Sequence, residues 1–96
     1  MEVVCVAKYL ATKGMEYLLV ERLNNLIPLT LMEEGCIRYE LNQSMENARE
    51  IIFVEKWKNK KAFDEHCNKE YIKMFFNNGK PEFVDIYNVA LYREIK

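Results

Sequence analysis

Four things this chain lacks narrow what it can be. No two cysteines stand at C-x-x-C spacing: Cys5, Cys36 and Cys67 are odd in number and far apart, which argues against a structural zinc site. As three free thiols they point to a reducing, cytoplasmic setting. Neither sign of charge dominates. The 14 basic and 15 acidic residues are interspersed to a net −1, without the clustered basic excess of a nucleic-acid surface. No apolar run approaches the ~20 residues that a membrane span needs, so no membrane partner is expected. The opening Met1-Glu2-Val3-Val4 carries an acid where a secretory signal would carry basic residues. Half of the 96 residues are hydrophobic, which fits one folded domain over 1–96. A domain of that length buries about 60–70% of its unfolded surface, enough for a single core.

The pattern along the chain predicts six elements. Val3 to Leu10 is β-branched and apolar on both faces, as in a strand covered on two sides. Thr12-Lys13-Gly14 breaks it, with Thr12 placed to cap the following helix. Met15 to Glu34 carries Leu19, Leu23, Leu26 and Ile27 at helical spacing. Pro28 predicts a kink or restart, and Gly35 a left-handed stop. Cys36 to Asn42 alternates as a strand, with Ile37, Tyr39 and Leu41 on one side and Cys36, Arg38 and Glu40 on the other. After a polar hairpin loop, Glu50 to Trp57 forms a third strand. Asn59 caps a helix from Lys60 to Cys67 that groups Ala62, Phe63 and His66 on one face. Lys69 to Phe76 extends that segment by a second helical turn or two, and Asn77-Asn78-Gly79-Lys80-Pro81 is a loop. Val84 to Glu94 is the last strand, with Val84, Ile86, Ala90 and Tyr92 set against Tyr87, Val89 and Leu91.

The order β-α-β-β-α-β defines an α+β, ferredoxin-like fold: an antiparallel sheet with helices on one face. Strands one, three and four are apolar on both sides, so the face without helices needs a cover. The simplest cover is a second copy packed sheet on sheet, which predicts a homodimer.

Two stretches now support a comparison. Glu34-Gly35-Cys36 with Tyr39 reads E-G-C-x-x-Y. Phe53-Val54-Glu55-Lys56-Trp57 is followed by Ala62 and His66 at A-x-x-x-H. Together these resemble the antibiotic biosynthesis monooxygenase (ABM) domain family, over nearly the whole chain. The resemblance implies a dimeric α+β barrel with a pocket between sheet and helices in each subunit. Oxygenase members use neither metal nor flavin. The bound aromatic substrate is deprotonated and itself reduces dioxygen, in a dry cavity that positions it.

His66 occupies the histidine position of that pattern. It suits proton transfer from a phenol or to a carbonyl, and equally suits capping the pocket on a backbone carbonyl. Trp57, Tyr39, Phe53 and Phe63 are the expected pocket wall, each with core packing as its plainer role. Glu55 and Arg38 are expected as supporting groups, an ion pair between neighbouring strands being the plainer role of Glu55. Polyketide-oxygenase members carry an Asn and a Tyr where this chain has Phe53 and Phe63. Haem-degrading members carry Asn, Trp and His where it has Ala7, His66 and Phe76, which speaks against haem. Cys36 reads as an inert buried thiol. Cys67 follows His66 directly, so on a helix their side chains diverge by ~100° and form no Cys–His pair. Three functions stay open: a cofactor-independent monooxygenase of a small phenolic or quinol-type substrate, an isomerase of a small carbonyl compound, and a small-molecule-binding dimer without catalysis.

Overall fold

Strand alternation builds the sheet, and the helices pack on one of its two faces. In the computed structural model, which describes residues 1–77 and 79–96, β1 is Val3–Ala11, β2 Cys36–Gln43, β3 Glu50–Trp57 and β4 Val84–Tyr92. They form one antiparallel sheet in the order β2-β3-β1-β4. The helices are α1 Glu16–Asn24, α2 Ile27–Leu31, α3 Lys60–Cys67 and α4 Glu70–Phe76. The ferredoxin-like α+β order is as the sequence predicts, with each helical segment in two pieces. The predicted loop at 77–81 includes Asn78, which lies outside the described residues.

Cys5, Ala7, Tyr9 and Ala11 of β1 and Ile51, Phe53, Glu55 and Trp57 of β3 point to the helices and are buried. Leu19, Leu23 and Leu26 meet them from the first helical segment, and Ala62, Phe63 and Ile72 from the second. At about 25 cal/mol per Å², full burial of each large apolar side chain contributes roughly 1.5–3 kcal/mol, so this layer dominates stability. The opposite face carries Val4, Val6 and Leu10 beside Ile52 and Val54, with Ile86, Ala90 and Tyr92 from β4. No helix among the described residues covers that side.

Four local expectations are corrected. Thr12 does not cap α1; its hydroxyl donates to the Glu82 carbonyl and to Asp85 Oδ1, tying the end of β1 to the start of β4. The restart predicted at Pro28 is present: the first helical segment breaks at Asn25 and resumes as α2, with Pro28 in its first turn, where the missing N–H costs nothing. Gly35 does not adopt a positive φ. It is required because a Cβ there would meet the Ala62 Cβ at 2.4 Å, so glycine is what lets α3 approach the start of β2. In β2 the register slips between Cys36 and Arg38, so Cys36 packs on the core and Ile37 is half exposed. A similar irregularity at Asp85 turns Val84 into the core while Ile86 stays on the open face.

Candidate active site

The side chains around His66 are assembled by three helix ends and one strand end. Asn59 caps α3, its Oδ1 accepting from the Ala62 N–H at 2.8 Å. That fixes the phase of the helix, so Ala62, Phe63 and His66 face inward, as the sequence predicts. α2 ends at Leu31, and the chain turns through Glu33 before β2, with Glu33 N–H donating to the Thr30 carbonyl and Cys36 N–H to that of Glu33. This turn directs the Glu33 carboxylate at the imidazole: His66 Nδ1 lies 2.8 Å from Glu33 Oε2. The Tyr71 hydroxyl, from α4, donates to the same oxygen and lies 3.2 Å from Thr30 Oγ1.

A carboxylate only accepts, so the Glu33 contact places the imidazole proton on Nδ1 and leaves Nε2 with its lone pair. Burial lowers the His66 pKa from its usual value, while Glu33 opposes the shift. The ring is therefore neutral at pH 7. The same carboxylate stabilises the imidazolium that forms once a proton is taken. An oriented base held by a buried acid is the logic of the Ser-His-Asp template, here without a nucleophile.

His66 borders a cavity of about 520 Å³ between the sheet and the helices, large enough for a bicyclic aromatic molecule. Cys5, Ala7 and Tyr9 of β1 floor it, with Tyr39 of β2 and Glu55 of β3. Leu26, Phe63 and Ile72 close the helical side, and Lys73 and Phe76 stand on α4. The wall is mainly apolar; His66, Glu55 and Lys73 are its ionisable exceptions apart from tyrosines and thiols.

Of the residues singled out from the sequence, the fold brings His66, Tyr39, Phe63 and Glu55 to this cavity. Phe53 and Trp57 do not line it. Both are fully buried one layer behind, Phe53 stacked on Tyr39 with ring centroids 4.1 Å apart and Trp57 4.6 Å from the His66 ring. They hold the wall from the rear. Arg38 does not reach Glu55. It lies on the open-face side of β2, 2.8 Å from Glu40 Oε1, because alternation sends it away from Tyr39 and Glu55. Glu55 instead accepts from Trp57 Nε1 at 2.9 Å and stands opposite Cys5 of β1, and burial pushes its pKa up to about 7. Cys36 is only partly buried, and burial raises its thiol to about 11.

Sequence reasoning passed over Glu33 and Tyr71. Glu33 was visible as the first acid of Glu33-Glu34-Gly35 but read only as a helix end. Nothing in the local pattern marks Tyr71, whose role depends on how α4 folds back over α2.

Fold and site together define a small α+β protein with a sheet-and-helix cavity and one oriented histidine. The sequence profile of the antibiotic biosynthesis monooxygenase family matches residues 2–78, and the chain belongs to that family. Solved structures agree. A protein of Shewanella oneidensis is 45% identical, with TM-score 0.91, over 95% of this chain and 88% of that one. A conserved protein of Methanosarcina mazei is 28% identical, with TM-score 0.89, over 98% and 93%. One of Pseudomonas aeruginosa, 21% identical with TM-score 0.90 over 99% and 95%, shares the fold. Among curated proteins, none matches the chain. No helix among the described residues is long and apolar enough to cross a membrane.

Proposed function

We propose that this protein is a cofactor-independent monooxygenase of a small phenolic or quinol-type substrate. The observation that carries the reading is the Tyr71–Glu33–His66 array, which leaves Nε2 of a neutral imidazole at an apolar cavity. In this reading Nε2 takes the proton of a bound hydroxyl, and Glu33 balances the imidazolium. The electron-rich anion passes one electron to dioxygen, and the resulting radical pair recombines as a peroxide on the ring. Loss of water from the peroxide leaves a carbonyl. One oxygen atom enters the product, the other leaves as water, and the substrate supplies both electrons. Tyr39 and Phe63 hold the ring, and exclusion of water protects the anion from reprotonation.

The test is oxygen consumption with quinols, anthrones and catechols. His66→Ala is expected to lower uptake by about 10²–10⁴-fold, the usual weight of a positioned base. Equal uptake by both proteins would overturn the assignment. An isomerase reading has its own support: a neutral imidazole and a raised carboxyl face one cavity, the pair that moving a proton beside a carbonyl needs. It predicts His66-dependent turnover of a hydroxyketone without oxygen uptake. Binding of such molecules without turnover of either kind would favour a non-catalytic carrier.

We also propose that a second copy covers the open sheet face, as the apolar row of Val4, Val6, Ile52 and Val54 requires in water. The cavity opens on the other side of the sheet, so each subunit keeps its own site.

A further inference from the structure

Glu55 stands in the middle of the sheet, on its helix-facing side, and is only 4% exposed. The hydrogen bond to it comes from a neutral group, Trp57 Nε1 at 2.9 Å, and its partner across the strand pair is the neutral Cys5. No cation forms a salt bridge with it among the described residues. A buried carboxylate without a counter-charge is costly, whereas a carboxyl that keeps its proton is not. The kept proton then needs an acceptor. Among the described residues the one side-chain hydrogen bond of Glu55 is the one it accepts from Trp57, so no side chain takes its proton, and the remaining direction is the cavity that Glu55 lines.

We propose that Glu55 is a ligand-contacting hydrogen-bond donor, and that the cavity takes an aromatic ligand with two oxygen functions, one facing His66 and one facing Glu55. This rests on the reading of the cavity as a quinol-type site and narrows it. A monophenol satisfies only one of the two groups. A quinol or hydroxyketone satisfies both, its second oxygen accepting the hydrogen bond that Glu55 donates.

The other titratable groups around Glu55 do not compete with it near neutrality. Cys5 and Tyr9 on β1, Cys36 and Tyr39 on β2, Cys67 on α3 and Tyr87 on β4 are all raised, mainly by burial. His66 is shifted down. Glu33 adds a negative charge from the turn before β2, which raises Glu55 further. The Glu55 proton is in place below about pH 7 and lost above it.

The experiment is anaerobic calorimetric binding of a matched pair, 1,4-dihydroxynaphthalene and 1-naphthol, to the intact protein. The wild type is expected to prefer the diol at about pH 6 by roughly ten-fold, one good hydrogen bond, and to lose most of that preference by about pH 8. Glu55→Gln keeps both an acceptor for Trp57 and an N–H donor for the ligand, so it should retain the preference at both pH values. Glu55→Leu should abolish it at both. Equal affinity for the two naphthols in the wild type, binding of neither, or a Glu55→Gln variant with the wild-type pH dependence would each overturn the inference. Because oxygen is absent, the outcome is separate from the monooxygenase reading. Diol preference with no oxygen uptake leaves this inference standing and that reading fallen; His66-dependent uptake with no preference does the reverse.

Discussion

The two faces of the sheet are made from the same strands, one residue out of phase, and they do different work. Toward the helices, β1 presents Cys5, Ala7 and Tyr9; away from them it presents Val4, Val6 and Lys8. The helix side has small residues under the cavity and a polar group at its centre. The open side has branched aliphatics at its centre and charges at its rim, where Lys8 reaches Glu50 and Lys56 reaches Glu2 and Glu94. An apolar centre with an ionic rim is the anatomy of a protein interface, whereas a small-residue floor under aromatic walls is that of a ligand site. The sharpest way to break this comparison is Val6→Glu, which puts a charge between Val54 and Ala90. The wild type is expected to scatter light as twice the 11.5 kDa chain. The variant should fall to one chain, or fail to fold if the subunit is not stable alone. A wild type that is already an 11.5 kDa monomer at micromolar concentration would end the dimer proposal.

On the helix side, the contrast between the two faces can be measured as a pH dependence. Glu55 is raised from 4.5 to about 7 in the folded chain, chiefly by burial. Between those two values the folded protein keeps a proton that the unfolded chain has lost. The contribution of Glu55 to stability is therefore complete below the lower value and falls as pH rises toward the upper one. The loss is on the order of 3 kcal/mol across the window. Glu55→Gln has no proton to lose. Denaturant midpoints at several pH values should show the wild type losing stability relative to Glu55→Gln between about pH 5 and 7. Parallel curves would mean that Glu55 is ionised throughout, and would remove the basis for its role as a donor. The rim acids of the open face are solvated and paired on the surface, where such pairs contribute about 0–1 kcal/mol, so no comparable slope arises there.

Much of this was legible in the sequence because it depends on period and on single punctuating residues. Alternation located β1 and β3 to within a residue, Asn59 located the start of α3, and the doubly apolar strands revealed an uncovered face. The errors come from places where tertiary geometry overrides the local pattern. One extra residue in β2 exchanged Ile37 for Cys36, and one in β4 separated Val84 from Ile86. Periodicity cannot show such slips. For the site, the E-G-C-x-x-Y and A-x-x-x-H spacings marked where Tyr39 and His66 stand. Depth was not legible. Phe53, Glu55 and Trp57 share one strand face, yet only Glu55 reaches the cavity, because Tyr39 and His66 cover the two aromatic rings. The pairing of Glu33 with His66 joins residues 33 positions apart and follows from where α2 stops.

Gly35 offers the smallest and most local test, since the site depends on how closely α3 approaches β2. The glycine is buried, and Lys58 N–H donates to its carbonyl at 2.9 Å. A methyl group there would sit 2.4 Å from the Ala62 Cβ, too close for either carbon to remain in place. Gly35→Ala must push the first turn of α3 outward, and His66 lies one turn further along the same helix. The expected cost is about 2 kcal/mol, typical of overpacking. It should show as a lower denaturant midpoint with an unchanged slope, together with weaker binding in the cavity. Gly35→Ala combined with Ala62→Gly removes the offending methyl and should restore the cavity, less about 1 kcal/mol for glycine in a helix. If the single variant were as stable as the wild type, close approach would not be the reason for glycine at this position. If the double variant failed to recover binding, the contact between β2 and α3 would not be what holds His66 against the cavity.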